Sequence, residues 1–153
     1  MAEKIISTNL KAKDTRALMS ASSSTSISIV RPYREGDEIG IDALLKACFP
    51  RYRGFEYWKW IHKNNPVGFS GDKGDIWVAD ANGKIVGYYG RIRYKVKFFG
   101  RDAFATQGTQ IATHPDFRRQ GIALKIFASV FAPHIFKQIG FSFGYPNHAS
   151  YLV

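Results

Sequence analysis

The chain has 153 residues, 45% of them hydrophobic and 15% aromatic, with a net charge of +10. That length suits one domain with a sizeable core, and the excess of positive charge calls for an anionic partner without choosing one. With Cys48 as the sole cysteine, no intramolecular disulfide can form, which fits a reducing, cytoplasmic setting. The opening residues lack the apolar core of a secretory signal, and the most apolar run, residues 126–136, is about half the length needed to span a bilayer. No membrane association is expected.

Residues 1–26 are rich in serine and too small and polar to offset their ordering entropy, so they read as a flexible tail before a domain spanning 27–153. Residues 27–33 alternate and are β-branched, predicting a strand with Pro32 at an edge or exit. Ile39, Ile41, Leu44, Leu45 and Phe49 follow at helical spacing, with Asp37 as the expected N-cap and Pro50 as the stop. Cys48 falls near that apolar face with no histidine or basic pair beside it in sequence, which favours a structural thiol over a catalytic one. Residues 55–62 form a second short helix. Tyr57, Trp58, Trp60 and Ile61 are expected to pack a core, with the lining of an acceptor pocket as the alternative.

Asn82-Gly83 between two alternating runs is a strong tight-hairpin signal. A second turn is expected at residues 100–102, followed by a strand over 103–113. Arg91, Arg93, Lys95 and Lys97 alternate with apolar residues, which predicts the solvated face of a half-buried antiparallel sheet. A basic nucleic-acid-binding protein is a weaker reading, since no zinc-finger, helix-turn-helix or ribonucleoprotein motif accompanies the charge. The four histidines show no metal-ligand spacing, so no metal is expected.

The most informative stretch is residues 113–127. A strand gives way to a polar turn containing Arg118, Arg119, Gln120 and Gly121, then to a helix expected over about 119–132 with Ile122, Ile126, Phe127, Val130 and Phe131 buried. Pro133 would cost about 3 kcal/mol inside a helix, so the helix should kink or restart there. The first N–H groups of a helix lack internal partners and carry partial positive charge, and glycine lets an anion approach them closely. The spacing fits neither a phosphate loop, nor a dinucleotide Gly-x-Gly-x-x-Gly, nor a Gly-x-Ser-x-Gly nucleophile elbow. Residues 140–145 read as a last strand.

Arg118-Arg-Gln-Gly121-Ile-Ala123 resembles the Arg/Gln-x-x-Gly-x-Gly/Ala motif of the GNAT N-acetyltransferases, and His114-Pro115 resembles the lead-in to it. Phe143-Gly-Tyr-Pro-Asn147 is similar to a fifth-strand sequence in some members. The resemblance covers about 27–153 and implies an α/β fold of α+β type: a mixed, mostly antiparallel sheet flanked by helices. It also implies a further helix and two strands, so the fold is expected to be C-terminally incomplete, with low turnover and cofactor binding retained. The implied reaction is acetyl transfer from acetyl-CoA to an amine on a small molecule or peptide; a non-catalytic CoA-binding or interaction module is the alternative, and a homodimer is compatible with either. The resemblance assigns the pyrophosphate to Arg118, Arg119, Gln120, Gly121, Ile122, Ala123 and Leu124, and the pantetheine arm to Ile111, Ala112, Thr113 and Asn147. The fourth strand lacks the glutamate many members use as base, so the catalytic residue is left unassigned, with His114, His148 and Tyr151 as candidates.

Overall fold

A computed structural model of the chain describes residues 28–68, 74–131 and 140–145. Five strands form one sheet in the order β1-β2-β3-β4-β5. They are β1 (Ile29–Pro32), β2 (Ile76–Ala81), β3 (Lys84–Phe98), β4 (Arg101–Thr113) and β5 (Phe141–Gly144). The first four are antiparallel neighbours, and β5 lies parallel to β4. Helices α1 (Asp37–Cys48) and α2 (Phe55–His62) follow β1, and α3 (Ile122–Val130) follows β4 after one 3₁₀ turn at Pro115–Phe117. This is the mixed α/β architecture expected.

The alternation of β2 and β3 sends side chains to two cores. On one face Ile41, Leu44 and Leu45 of α1 and Trp58 of α2 pack against Ile76, Val78, Tyr88 and Ala112. On the other Ile122, Ile126 and Val130 of α3 pack against Ala79, Val86 and Tyr89. Asn82 and Gly83 take φ of 54° and 85°, the left-handed pair that a tight hairpin needs. The second turn is made by Phe99 and Gly100, one residue earlier than the spacing suggests, and β3 runs unbroken through fifteen residues up to it.

Several expectations need correcting. Asp37 does not cap α1. Gly36 occupies that position, and the Asp37 carboxylate instead accepts two hydrogen bonds from Arg31 at 2.7 and 2.9 Å. The same guanidinium reaches Asp80, tying the start of α1 to the β2–β3 hairpin. Of the α2 residues expected in the core, Trp58 and Ile61 are buried, but Trp60 is 63% exposed. Helix α3 begins at Ile122 rather than 119, and Phe131 just beyond its end is exposed. The largest correction concerns β3. Arg91 and Arg93 are buried rather than solvated, and both pair with the buried Asp75.

Behind the sheet centre, Trp58 Nε1 donates to the Tyr88 hydroxyl at 3.0 Å, and that hydroxyl lies 3.0 Å from His62 Nε2. Burial holds the imidazole down at about pKa 4. Above pH 6.5 the ring is neutral in folded and unfolded chains alike. Below it the unfolded chain binds a proton that the folded chain refuses, so stability falls as pH drops. The loss from this residue should reach roughly 3 kcal/mol by pH 4. Urea titrations of wild type and His62→Gln between pH 7 and 4 check this: the variant should lack that part of the slope, and equal slopes would refute it. The window stands apart from that of Glu38. Burial pushes Glu38 up, but hydrogen bonds from Lys63, Tyr33 and the Gly36 N–H outweigh it and hold the carboxyl at about 2. Its contribution is therefore lost only at lower pH, as pH falls from the ordinary glutamate value toward 2.

Candidate functional site

The site begins with a flaw in strand pairing. Gly90 pairs with Gln110 and Arg91 with Gly108, so Thr109 is an extra residue in β4. Its hydroxyl donates to the Gly90 carbonyl at 3.0 Å, which holds the bulge. Pairing of β4 with β5 ends at Gly108↔Gly144, where the bulge turns β4 away. Beyond it residues 109–113 have no strand neighbour on that edge among the described residues.

The parted edge is polar and aimed. His114 N–H donates to Val86 O at 2.8 Å, toward β3. In a planar trans peptide the preceding carbonyl, that of Thr113, must point the opposite way. It does: it accepts from Cys48 Sγ at 3.4 Å and Arg118 Nε at 3.3 Å. Alternation along the strand turns the N–H and C=O of Ile111 to the same side.

The turn after β4 supplies donors. Arg119 and Gly121 are both left-handed, with φ of 62° and 72°. Non-glycine residues rarely adopt this region, and backbone reversals of this kind make N–H groups converge into an anion-binding concavity. The first helical hydrogen bond of α3 is Lys125 N–H to Gly121 O at 3.0 Å. The N–H groups of Ile122, Ala123 and Leu124 precede it and have no helical partner. Among the described residues no side chain caps them, and no acidic residue sits in the first turn. The Ile122 side chain itself is buried in the α3 core, so it anchors the helix while its N–H stays at the end.

Edge and turn meet in one cleft of about 1550 Å³. Its walls are residues 108–113 of β4, Arg118, Ala123 and Leu124 with Phe127 and Phe131 of the α3 segment, residues 142–145 at β5, and residues 48–53 with Tyr57. A drug-sized ligand needs roughly 300–1000 Å³, so there is room for an extended ligand and a second, smaller one. Gln110 Oε1 is buried at this cleft with no hydrogen-bond partner among the described residues. Such an orphan acceptor costs stability unless a ligand or water supplies a donor.

Of the residues singled out from sequence, Ile111, Ala112, Thr113, Arg118, Ala123 and Leu124 line this cleft together. Arg119, Gln120 and Gly121 form the exposed turn at its end. His114 is not among the lining residues. Its Nδ1 accepts the Asp116 N–H at 3.3 Å, and its ring stands edge-on to Phe117. Asn147, His148 and Tyr151 lie outside the described residues. Cys48, read as having no histidine or basic pair beside it, has Arg118 beside it in space. Burial raises its thiol pKa all the same, with the Arg118 charge opposing. Reading the sequence missed Arg51, Tyr52 and Arg53. They follow Pro50 in what looks like a plain linker, and nothing local marks them as a wall of the site.

The fourth and fifth strands thus part beside a glycine-turned helix start. The family model described as "Acetyltransferase (GNAT) domain" matches residues 29–152, and the chain belongs to that family. No curated protein sequence gives a significant match. Among solved structures, a GNAT family acetyltransferase from Staphylococcus aureus superposes with a TM-score of 0.56 at 15% identity, over 80% of this chain and 89% of that one. An acetyltransferase from Trypanosoma brucei gives 0.59 at 13% identity, over 81% and 86%. AAC(6')-Iy, in complex with the bisubstrate analogue CoA-S-monomethyl-acetylneamine, gives 0.57 at 16% identity, over 83% and 84%. Identities this low speak for a shared fold. Among the described residues no helix is long and apolar enough to cross a membrane, and no three His, Cys, Asp or Glu side chains are grouped to hold a metal ion.

Proposed function

We propose that this domain transfers an acetyl group from acetyl-CoA to an amine. The observation that carries the reading is the meeting, in one cleft, of an uncapped helix start and an unpaired strand edge. The uncapped N–H groups of residues 122–124, with the left-handed turn before them and the Arg118 guanidinium, would hold the pyrophosphate. The backbone at Ile111 would take the amides of the pantetheine arm as an added strand does. When bound, acetyl-CoA supplies a thioester. Its carbonyl carbon would take the amine nitrogen, a C–N bond forming as the C–S bond breaks, with one proton lost by the amine and one gained by the departing thiolate. The Ile111 N–H, on the open edge of β4, would share charge developing on an oxygen there.

No carboxylate or imidazole lines the cleft among the described residues. His62, neutral and packed behind Tyr88, does not reach it. With His148 and Tyr151 outside the described residues, water is the proton route that these walls offer, and by that route kcat/KM should climb with pH up to the pKa of the acceptor amine. The same lack of a base favours a second reading, a CoA-binding module without turnover. Thiol release over a panel of amines separates the two.

The cofactor assignment has its own test. Gly121→Asp places a carboxylate where the pyrophosphate should sit, and aspartate tolerates the left-handed backbone better than most residues. Gly121→Asn is the uncharged control. By calorimetry, the Asp variant should bind CoA about ten-fold more weakly than the Asn variant, or worse, as like charge at a helix N-terminus demands. Equal affinities would remove the helix start from the site. The reading also fits a cytoplasmic protein whose only thiol, Cys48, is half-buried.

A further inference from the structure

The wall of the cleft that follows α1 carries its own charge pattern. Residues 49–53, between α1 and α2, bring Arg51 and Arg53 to the cleft beside Tyr52, and Tyr57 lies on the first turn of α2. Arg53 stacks its guanidinium 5.0 Å from the centre of the Tyr57 ring, which fixes the approach of that cation. Neither Arg51 nor Arg53 has an ion-pair partner among the described residues, whereas Arg31, Arg91 and Arg93 are all paired with aspartates. Arg118 is likewise unpaired, but it is tied to the Thr113 carbonyl at the turn assigned to pyrophosphate. No Asp or Glu lines the cleft among the described residues.

A site built for a polycation would show the reverse pattern. Unpaired guanidinium groups in a cleft without carboxylates repel ammonium-rich ligands and bind carboxylate or phosphate through paired N–H donors. The same cleft holds Gln110 Oε1, a buried acceptor without an N–H partner among the described residues. Resting on the acetyl-transfer reading above, we propose that the acceptor is a small amine that also carries an oxyanion, a carboxylate or a phosphate. Arg51 and Arg53 bind the anion, Gln110 Oε1 takes an N–H of the amine, and Tyr52 and Tyr57 flank the body of the molecule.

The test uses the full chain in two stages. Calorimetry with CoA alone comes first, and its failure strikes the cofactor reading and not the acceptor class. The CoA-loaded protein is then titrated, and assayed with acetyl-CoA by thiol release, against matched pairs: L-phenylalanine with its amide, phosphoethanolamine with ethanolamine, and spermidine alone. The anion-bearing member of at least one pair should bind and turn over about ten-fold better or more than its neutral partner, the scale of a charge-assisted hydrogen bond. Which pair responds tells carboxylate from phosphate. In the double variant Arg51→Gln/Arg53→Gln that advantage should vanish through KM, with CoA affinity within about two-fold of wild type. Preference for the amide, ethanolamine or spermidine would overturn the proposal, as would failure of both anionic amines to bind the CoA-loaded protein. So would a double variant that loses CoA and keeps the acceptor, which would give these arginines to the phosphates of the cofactor.

Discussion

Asp75→Asn is expected to destabilise the domain by about 3–5 kcal/mol, the usual cost of stripping the partner from a buried charge. Asp75 is 3% exposed and sits between Arg91 at 1% and Arg93 at 8%. Its carboxylate accepts from Arg93 Nε and Nη2, each at 3.2 Å, and lies 3.4 Å from Arg91 Nη2. Arg91 also donates to the Gly74 carbonyl at 2.7 Å, while its Nε and Nη1 are buried without partners among the described residues. The ion pairs are therefore incompletely satisfied even in the native protein. Asparagine keeps the shape of the site but leaves two buried positive charges with no counter-charge. Urea unfolding near pH 7 measures the effect. A loss under about 1 kcal/mol would mean that water reaches these arginines and that their burial carries little electrostatic penalty.

The second large effect is expected at Gly90. A Cβ there would lie 2.2 Å from the Tyr88 hydroxyl oxygen, 2.9 Å from Cζ and 3.1 Å from His62 Cε1. Neither ring is free to yield. The tyrosine hydroxyl is held by Trp58 and faces His62, and the imidazole is also packed 5.0 Å from the Trp58 ring. Gly90→Ala should thus break the buried network or push β3 out of register with β4. Overpacking of this kind costs about 3 kcal/mol at its upper end. Gly90 lies opposite the bulge that opens the cleft, so the damage should spread to ligand binding. Two readouts apply: thermal unfolding, and fluorescence of Trp58, whose indole N–H is bonded to the displaced hydroxyl. Native melting with an unchanged tryptophan signal would show that the network can repack.

These two sites mark the limit of what a linear reading reveals. Arg91 and Arg93 alternate with apolar neighbours just as a solvated strand face would. Nothing local indicates that Asp75, eighteen residues before Arg93, comes back to neutralise them across the sheet. Arg51, Tyr52 and Arg53 look like linker until the chain folds the α1–α2 segment over the edge of β4. Gln110 reads as a polar strand residue, and only the bulge at Thr109 turns it into a buried acceptor beside a cleft. Cys48 acquires Arg118 as a neighbour by the same folding.

The sequence by itself determined the elements and the glycine turn before α3, because both rest on local physics. Asn82-Gly83 favours left-handed backbone, apolar residues recur at strand and helix periods, and Gly121 before an apolar helix leaves N–H groups uncapped. Family membership was legible for the same reason, since Arg118 to Ala123 form a contiguous signature. Only the tertiary structure decided which charges are buried, where β4 leaves β5, and which loop joins the walls of the cleft. Each of these depends on contacts between residues far apart in the chain, which no local propensity encodes.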